Sequence, residues 1–380
     1  ALPLLTMPEI ELPLDDASWQ RQPPDVFWYI FAEEFLWGVN RDLDIQKILF
    51  LSRLPVVYLT IALALVGWRF AQQLWSGFAP LVVLLFLLFD PNILAHGRYV
   101  TTDIGGTLFV FLATYLLWRL WQYEAWNRPA WLAAFLGLGL AFAGKLSTLV
   151  FVPIWMVLAL LPLYGQGAPS SWRSSGRRLL QILSAGLASI FIIWLIYGFE
   201  WRHFLFLDSR LTTLNQFSGP MPTFWSGIER ILLQSEGGRP AFLMGEFSSQ
   251  GFPLYFPAAF AVKTPLLTLA LFLVAGGLLL IVPQTRQAAV FLLVPLLLYF
   301  AASTISALNI GYRHLLPILP FVYMLIGGLA SPRLTTWLKE RGADRPNAAT
   351  NPLAVVFLLW VCLLMIEALV LPDCLSACES

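Results

Sequence analysis

The chain has 380 residues, of which 58% are hydrophobic and only 12% are charged. Soluble domains carry about a quarter charged residues, so this composition excludes an ordinary soluble domain and predicts an integral membrane protein. The formal net charge is +1, which gives no electrostatic basis for binding nucleic acid.

Ten apolar segments predict membrane-spanning helices. They lie near residues 49–69, 77–89, 104–121, 130–143, 147–163, 179–199, 265–283, 288–303, 315–330 and 352–371. A crossing takes about 20 residues, so the segments at 77–89 and 130–143 are short and must rely on flanking residues or on neighbouring helices. The predicted fold class is an all-α polytopic membrane protein with about ten transmembrane helices.

These segments divide the chain into five parts. Residues 1–48 form an acidic, aromatic segment, in which residues 25–40 are typical of a helix lying along the membrane surface. Six spans follow over 49–199. A connection over 200–263 then precedes four spans over 264–371 and a tail at 372–380. Within the connection, Met221–Gln234 predicts an amphipathic helix, and the density of aromatic residues and prolines predicts an ordered cap.

Lysine and arginine residues predict the orientation of the chain. When residues 1–48 are placed outside the cytoplasm, the cytoplasmic connections carry Arg69, Arg119, Arg128, Arg173, Arg177, Arg178, Arg286, Arg333, Lys339, Arg341 and Arg345. This arrangement satisfies the positive-inside rule. Both ends of the chain are then expected to be extracytoplasmic, and in a bacterium the membrane would be the inner membrane.

Several known signatures are absent from the sequence. It has no phosphate-cradling glycine loop, no G-x-S-x-G run and no H-E-x-x-H run. It also lacks the two similar halves of a transporter and the selectivity filter of a channel. The three cysteines, Cys362, Cys374 and Cys378, form neither a disulfide framework nor a metal-site pattern, so no metal site is predicted.

The stretch Asp90–Asp103 concentrates polar residues between two apolar runs. Polar side chains at the boundary of a hydrocarbon layer are costly, and they usually serve a substrate or an ion. Asp90 is explained by the turn chemistry of Asp-Pro-Asn, whereas His96, Arg98 and Asp103 are not. Two alternatives remain: a loop whose charges are solvated and, for Asp103 alone, an ordinary helix N-cap.

Five further polar residues are predicted on the same outer side: Lys145, Glu246, Lys263, Arg313 and His314. Any one basic side chain among them could simply extend to the lipid headgroups. Taken together with the carboxylates, they predict a basic pocket at the outer membrane surface. Such a pocket suits the phosphate or pyrophosphate of a lipid carrier.

Four runs in this order resemble the C-type (GT-C) glycosyltransferases, the family of the protein O-mannosyltransferases and the bacterial phospholipid-carrier-dependent glycosyltransferases. The runs are Asp90–Asp103, Phe142–Ser147, Tyr255–Pro265 and Asn309–Pro317, and the resemblance covers roughly residues 1–330. It implies a GT-C-like bundle with an extracytoplasmic cap. It also implies inverting transfer of a mannosyl or other hexosyl group from a polyprenyl-phosphate carrier to a protein hydroxyl, lipid or glycan.

The resemblance also implies roles for individual residues. Lys145 and Arg313 would bind the carrier phosphate, with Arg98 and Lys263 as weaker candidates. His96 and Asp103 would line the same cavity. Membrane lipids and the lipid-linked sugar are the expected partners, and a divalent cation is permitted but not required.

The catalytic carboxylate of the family falls outside the given sequence. In the family it lies in a first outer loop, before a segment that resembles Ala1–Leu5, so the base is expected upstream of Ala1. Either the natural chain continues upstream, or this is a shortened relative without the base. The alternative function is a catalytically inactive GT-C-like subunit whose lipid-facing Trp and Phe residues pack in a larger membrane complex. A lipid transporter or flippase is a third interpretation.

Overall fold

The computed structural model describes residues 2–20, 28–123, 125–161, 172–237, 240–306 and 309–341. The α-helices in these ranges are α1 Leu2–Thr6, α2 Ala17–Gln20, α3 Trp28–Glu33, α4 Ile45–Leu74, α5 Ala79–Phe89, α6 Pro91–Gly97, α7 Asp103–Trp121, α8 Arg128–Gly144, α9 Phe151–Leu160, α10 Trp172–Ile196, α11 Pro222–Gly237, α12 Tyr255–Lys263, α13 Leu266–Ile281, α14 Pro283–Ile305, α15 Leu319–Gly328 and α16 Pro332–Glu340.

Shorter elements connect these helices. A π-helix covers Glu34–Val39, and 3-10 turns cover Leu146–Val150, Thr212–Gln216 and Tyr312–Ile318. The strands are β1 Trp201–His203, β2 Ser218–Pro220, β3 Ala241–Leu243 and β4 Glu246–Ser248, and they pair as two separate antiparallel hairpins, β1 with β2 and β3 with β4.

Most of the predicted spans coincide with helices. Among the described residues, five segments are long and apolar enough to cross a bilayer: Ile45–Leu74, Asp103–Trp121, Ser174–Ile196, Pro283–Ile305 and Tyr312–Glu340. The bent pairs α5–α6 and α12–α13 raise this number to seven, and shorter apolar helical segments cover Arg128–Gly144 and Leu146–Leu160. The predicted span at 352–371, the tail and all three cysteines lie outside the described residues. The predicted all-α polytopic fold is confirmed.

Helix α15 lies at the centre of the bundle, and all of its residues are buried. The indole Nε1 of Trp75, which follows α4, donates to the Met324 carbonyl of α15 at 2.8 Å. Close packing depends on small residues: a Cβ added at Gly327 would lie 2.5 Å from Val83 Cγ2 and 3.2 Å from the Ala79 carbonyl oxygen. The missing side chain therefore lets α15 approach the backbone of α5, as is common between membrane helices.

Two arginines close the C-terminal ends of helices. Arg178 of α10 donates to the Ala159 carbonyl at the end of α9, at 2.7 Å. Arg286 of α14 donates to the Leu280 carbonyl at the end of α13, at 2.8 Å. A helix leaves its last carbonyls unpaired and carries partial negative charge there. A guanidinium donates hydrogen bonds to these carbonyls and its positive charge offsets the negative end of the helix.

The connection after α10 forms an ordered cap that contains the predicted amphipathic helix, here α11. The carboxylate of Glu229 on α11 is buried. It accepts hydrogen bonds from the Leu207 amide at 2.9 Å and from the Asp208 amide at 2.7 Å. Helix α11 thereby holds the loop that follows β1.

A second carboxylate fastens the start of the cap. Glu200 accepts from the Thr223 hydroxyl at 2.7 Å and from the Thr223 amide at 3.1 Å, and it forms an ion pair with Arg202. Burial alone would raise the pKa of Glu200, but these hydrogen bonds hold the pKa below its usual range. The carboxylate therefore stays ionised at neutral pH and links the end of α10 to the start of α11.

The packing of Gly327 gives a direct test of the bundle. We expect Gly327→Ala to lower the melting temperature, because overpacking typically costs about 1–3 kcal/mol. The matched control is Gly276→Ala on α13, where an added Cβ meets nothing within 4 Å. Both variants gain the same helix propensity of about 1 kcal/mol, so the difference between them reports packing. The measurement is thermal unfolding in detergent followed by tryptophan fluorescence, and equal melting temperatures would contradict the assigned contact.

Candidate functional site

Several helix ends meet at one end of the bundle. They are the corner between α5 and α6, the start of α7, the end of α8 and the 3-10 turn Tyr312–Ile318, against which α6, α7 and α12 pack. The α5–α6 corner bends by 55° and the α12–α13 junction by 109°. The polar residues of the sequence motifs come together at this end, which the sequence predicts to face outward.

An ion pair joins α7 to the end of α8. Helix α8 stops at Gly144, and the backbone at Lys145 is extended, with φ −161° and ψ 122°. Lys145 Nζ lies 2.6 Å from Asp103 Oδ1, and the two side chains are only 17% and 8% exposed. The N-cap interpretation of Asp103 was wrong: Thr102 is the N-cap residue, and the Asp103 carboxylate pairs with a lysine from another helix.

The lysine side chain lies across α7, where Gly106 leaves room for it. A Cβ added at Gly106 would be 2.9 Å from Lys145 Cδ and 3.1 Å from Lys145 Cβ. At the neighbouring Gly105, an added Cβ would meet only Leu59 Cδ1, at 3.7 Å. Gly106 therefore admits the aliphatic part of Lys145, while Asp103, one turn earlier on α7, holds its ammonium group.

The turn that carries Arg313 and His314 begins with a glycine. Gly311 has φ 96°, a conformation that favours glycine, and the His314 amide donates to its carbonyl at 3.1 Å. The Arg313 side chain is exposed, and its Nε donates to the Ile310 carbonyl at 3.1 Å. The turn thus directs a guanidinium away from the bundle core.

The His314 imidazole is held between two aromatic rings. Its centroid lies 5.4 Å from that of Phe256 and 5.9 Å from that of Tyr299. Its Nδ1 is buried and has no hydrogen-bond partner within the described part of the chain. A buried imidazole nitrogen without a partner is costly, so it indicates a place where a ligand or water can complete the site.

The predicted site residues lie within electrostatic range of one another. His96 interacts with the charges of Asp103, Lys145, Lys263 and Arg313. His314 interacts with three of the same four groups: Asp103, Lys145 and Arg313. We call these residues the basic cluster: His96, Asp103, Lys145, Lys263, Arg313 and His314.

The basic cluster carries an excess of positive charge. Asp103 pairs with Lys145, whereas no carboxylate of the described ranges lies within 4.0 Å of the Lys263 or Arg313 nitrogens. The other aspartate of the first motif, Asp90, is used locally: its carboxylate caps α6 by accepting from the Ile93 amide at 2.8 Å. This agrees with the turn interpretation of Asp90 and leaves the cluster cationic.

The remaining candidates lie at the edge of the cluster. Lys263 ends α12 and is exposed, and its carbonyl accepts from the Asn92 side chain at 3.1 Å. Arg98 is exposed, and its guanidinium lies 5.4 Å from the centre of the Tyr99 ring. Glu246 is exposed on β4. The phosphate-binding roles of Arg98 and Lys263 remain predictions.

Three residues that support the site were missed from the sequence. The Tyr299 hydroxyl donates to the His314 carbonyl at 3.1 Å. The hydroxyls of Thr264 and Tyr312 are hydrogen-bonded at 2.8 Å, and both residues are buried. These bonds fix the 3-10 turn to α14 and to the end of α12. Tyr299 lies within a long apolar run, so no local pattern marks it.

Within the described ranges, no group of three or more His, Cys, Asp or Glu side chains is placed to hold a metal ion. The chemistry available to the basic cluster is binding of an anion. Arginine and lysine bind phosphate oxygens through charge-assisted hydrogen bonds, which are strongest where water is partly excluded.

Comparison with known proteins identifies the fold. No protein-family profile and no curated protein sequence matches the chain. Two solved structures are similar, both of ArnT from Cupriavidus metallidurans. The form bound to undecaprenyl phosphate aligns with a TM-score of 0.50 and 16% identity over 92% of this chain. The apo form aligns with a TM-score of 0.47 and 15% identity over 91% of this chain.

The chain spans 62% of the length of the undecaprenyl-phosphate-bound ArnT chain and 61% of the apo chain. ArnT is a GT-C glycosyltransferase. The chain therefore has the polytopic helical fold of the GT-C glycosyltransferases, which confirms the fold that the four sequence runs implied, and it is an integral membrane protein.

A double-mutant cycle tests the ion pair. Asp103→Asn and Lys145→Met should each destabilise the protein, because removing one partner of a buried pair costs about 3–5 kcal/mol. The double variant should be less unstable than the sum of the two, with a coupling energy of roughly 0.5–3 kcal/mol. Unfolding in mixed SDS micelles gives the free energies. Asp103→Asn combined with Arg98→Met is the matched control and should be additive; an additive result for Lys145 as well would contradict the pair.

Proposed function

We propose that the protein is a membrane glycosyltransferase that takes its sugar from a polyprenyl-phosphate carrier, and that the basic cluster binds the carrier phosphate. The observation that carries the proposal is the convergence of Lys145, Lys263 and Arg313 around His96 and His314, at the end of an apolar bundle. ArnT, which has the same fold, is bound to undecaprenyl phosphate in one of its structures. That likeness supports a carrier of the same chemical class.

The surroundings of the cluster suit a lipid-linked anion. The phosphate needs cationic donors at the membrane surface, and the isoprenoid chain needs apolar helix surface beside them. Arg313 is exposed and has no carboxylate partner in the described ranges, so it is available to a ligand. Lys145 is held in place by Asp103, which reduces the conformational entropy that it would lose on binding.

The proposed reaction divides into two parts. The bond between the sugar C1 and the carrier phosphate oxygen breaks, and Lys145 and Arg313 stabilise the negative charge that develops on the phosphate. A new bond forms between C1 and the acceptor oxygen, whose proton passes to a general base. In this proposal the basic cluster provides the leaving-group half of the chemistry.

Substitution of the two central cations tests the proposal. Lys145→Ala and Arg313→Ala should each weaken binding of undecaprenyl phosphate at least tenfold, which corresponds to about 1.4 kcal/mol. Binding is measured with the purified protein in lipid nanodiscs. Arg69→Ala is the control. Arg69 lies near the C-terminal end of α4 and is not part of the basic cluster, so its removal should leave the affinity unchanged.

Uncharged undecaprenol is the second control and should bind equally to all variants. If the two substitutions leave undecaprenyl phosphate binding intact, the proposal fails. If the phosphate binds but the full natural protein transfers no sugar and purifies only in a stoichiometric membrane complex, the alternative of an inactive subunit replaces the enzyme.

Two adjacent glycines provide a finer test. Gly106→Ala should displace the side chain of Lys145 and weaken undecaprenyl phosphate binding several-fold, because its Cβ would lie within 3.1 Å of two Lys145 carbons. Gly105→Ala places the same methyl group on the next residue of α7 without a close contact. It should bind like the wild type. Equal losses in the two variants would mean that the position of Lys145 does not matter for the phosphate.

A further inference from the structure

The β3–β4 hairpin exposes large apolar side chains on one face. In its register, Phe242 lies opposite Phe247, and cross-strand partners point to the same face. Phe242 is 65% exposed and Phe247 is 72% exposed, whereas Ala241, on the other face, is buried. The hairpin therefore turns its small residue toward the protein and its two phenyl rings outward.

The turn of this hairpin is also unusual. Met244 and Gly245 have φ values of 50° and 92°, the positive φ angles of a two-residue type I′ turn. The first turn position favours Asn, Asp or Gly, and a bulky apolar residue is unfavourable there. Met244 is nevertheless the residue at the tip, and it is 83% exposed. Neither backbone preference nor contact with water favours a methionine at this position, whereas an apolar environment around its side chain would.

The chain that follows connects the hairpin to the bend between α12 and α13. The Phe252 carbonyl accepts from the Asn309 side chain at 3.4 Å, which fastens the segment next to the basic cluster. Helix α12 then begins, and it meets the apolar helix α13 at 109°. If α13 runs along the bilayer normal, α12 lies about 19° from the membrane plane. Val262 and Leu266, at this bend, are 77% and 83% exposed, and Leu273 on α13 is 71% exposed, so exposed apolar side chains continue from the bend along α13.

We infer that the β3–β4 hairpin inserts its tip, Phe242, Met244 and Phe247, into the leaflet that borders the basic cluster. The partner is the interfacial region of the phospholipid bilayer, where aromatic and flexible apolar side chains are favourable. The short connection from the hairpin to this bend, whose exposed side chains continue along the apolar helix α13, favours lipid over a protein partner. The inference does not depend on the proposed transferase activity, since it rests only on the hairpin and on the α12–α13 bend.

Site-specific labels test this inference in the full chain. Cys362, Cys374 and Cys378 are replaced by Ser, and an environment-sensitive fluorophore is attached to Met244→Cys in lipid nanodiscs. We expect blue-shifted emission that is quenched by spin-labelled phospholipid and protected from aqueous iodide. Glu246→Cys on the same hairpin is the matched control, because its side chain lies on the other face. Its quenching by lipid should be at least twofold weaker.

Two outcomes would overturn the inference. If iodide quenches the labels at 244 and 246 equally and lipid quenches neither, the tip lies in water. If the label at 244 is shielded from both quenchers and crosslinks to another protein chain, the face is a protein interface. As a further readout, Phe242→Ser combined with Phe247→Ser should shift the label at 244 toward aqueous quenching while Tm stays unchanged, since neither ring is buried in the fold.

Discussion

The ion pair between Asp103 and Lys145 is the interaction on which the arrangement of the site depends. It links the first residue of α7 to the residue that follows α8, so it fixes where two neighbouring helices end relative to each other. A buried ammonium group without its carboxylate would be strongly unfavourable in this apolar bundle. With Asp103 in place, the Lys145 ammonium group has a carboxylate partner at 2.6 Å that fixes its position. The adjoining cations, Lys263 and Arg313, then add to a positive site whose geometry is set in advance.

Irregular backbone accompanies every part of this site. Lys145 is extended between two helical segments, Gly311 has a positive φ, and α5 and α12 each end at a sharp bend. At membrane depth, backbone groups that leave a helix need other partners, so such breaks persist only where protein or a polar cavity surrounds them. The hydroxyls of Thr148 and Tyr299 provide such partners by donating to the carbonyls of Lys145 and His314.

The sequence predicted the positions of the apolar helices well because apolarity is a local property. It predicted the members of the basic cluster for a similar reason: a lysine, arginine or histidine beside a hydrocarbon segment is conspicuous. The bends were harder to predict. Lys263 and Thr264 interrupt the apolar run between α12 and α13, and Pro265 marks the break by removing a donor and restricting the residue before it, but none of them gives the angle of the bend.

Other parts of the site arise only in three dimensions. The role of Gly106 depends on a lysine about 40 positions later, and the roles of Tyr299 and Tyr312 depend on their tertiary partners. The pairing of Asp103 is a third example, since the local sequence equally fitted an N-cap. Contacts between distant segments leave no periodic signal in the chain, which is why pattern reasoning found the charged groups but not the residues that position them.

The arginines that close α9 and α13 connect folding to membrane insertion. Arg178 and Arg286 belong to the basic residues whose distribution predicts the cytoplasmic face. Each also donates hydrogen bonds to carbonyls at the end of the preceding helix. In the predicted orientation, the same guanidinium group would act twice during biogenesis. It would first bias which loops stay in the cytoplasm as the nascent chain enters the bilayer, and it would later hold the two adjacent helices together. A neutral replacement would weaken both topogenesis and helix pairing, whereas lysine would preserve the first function better than the second.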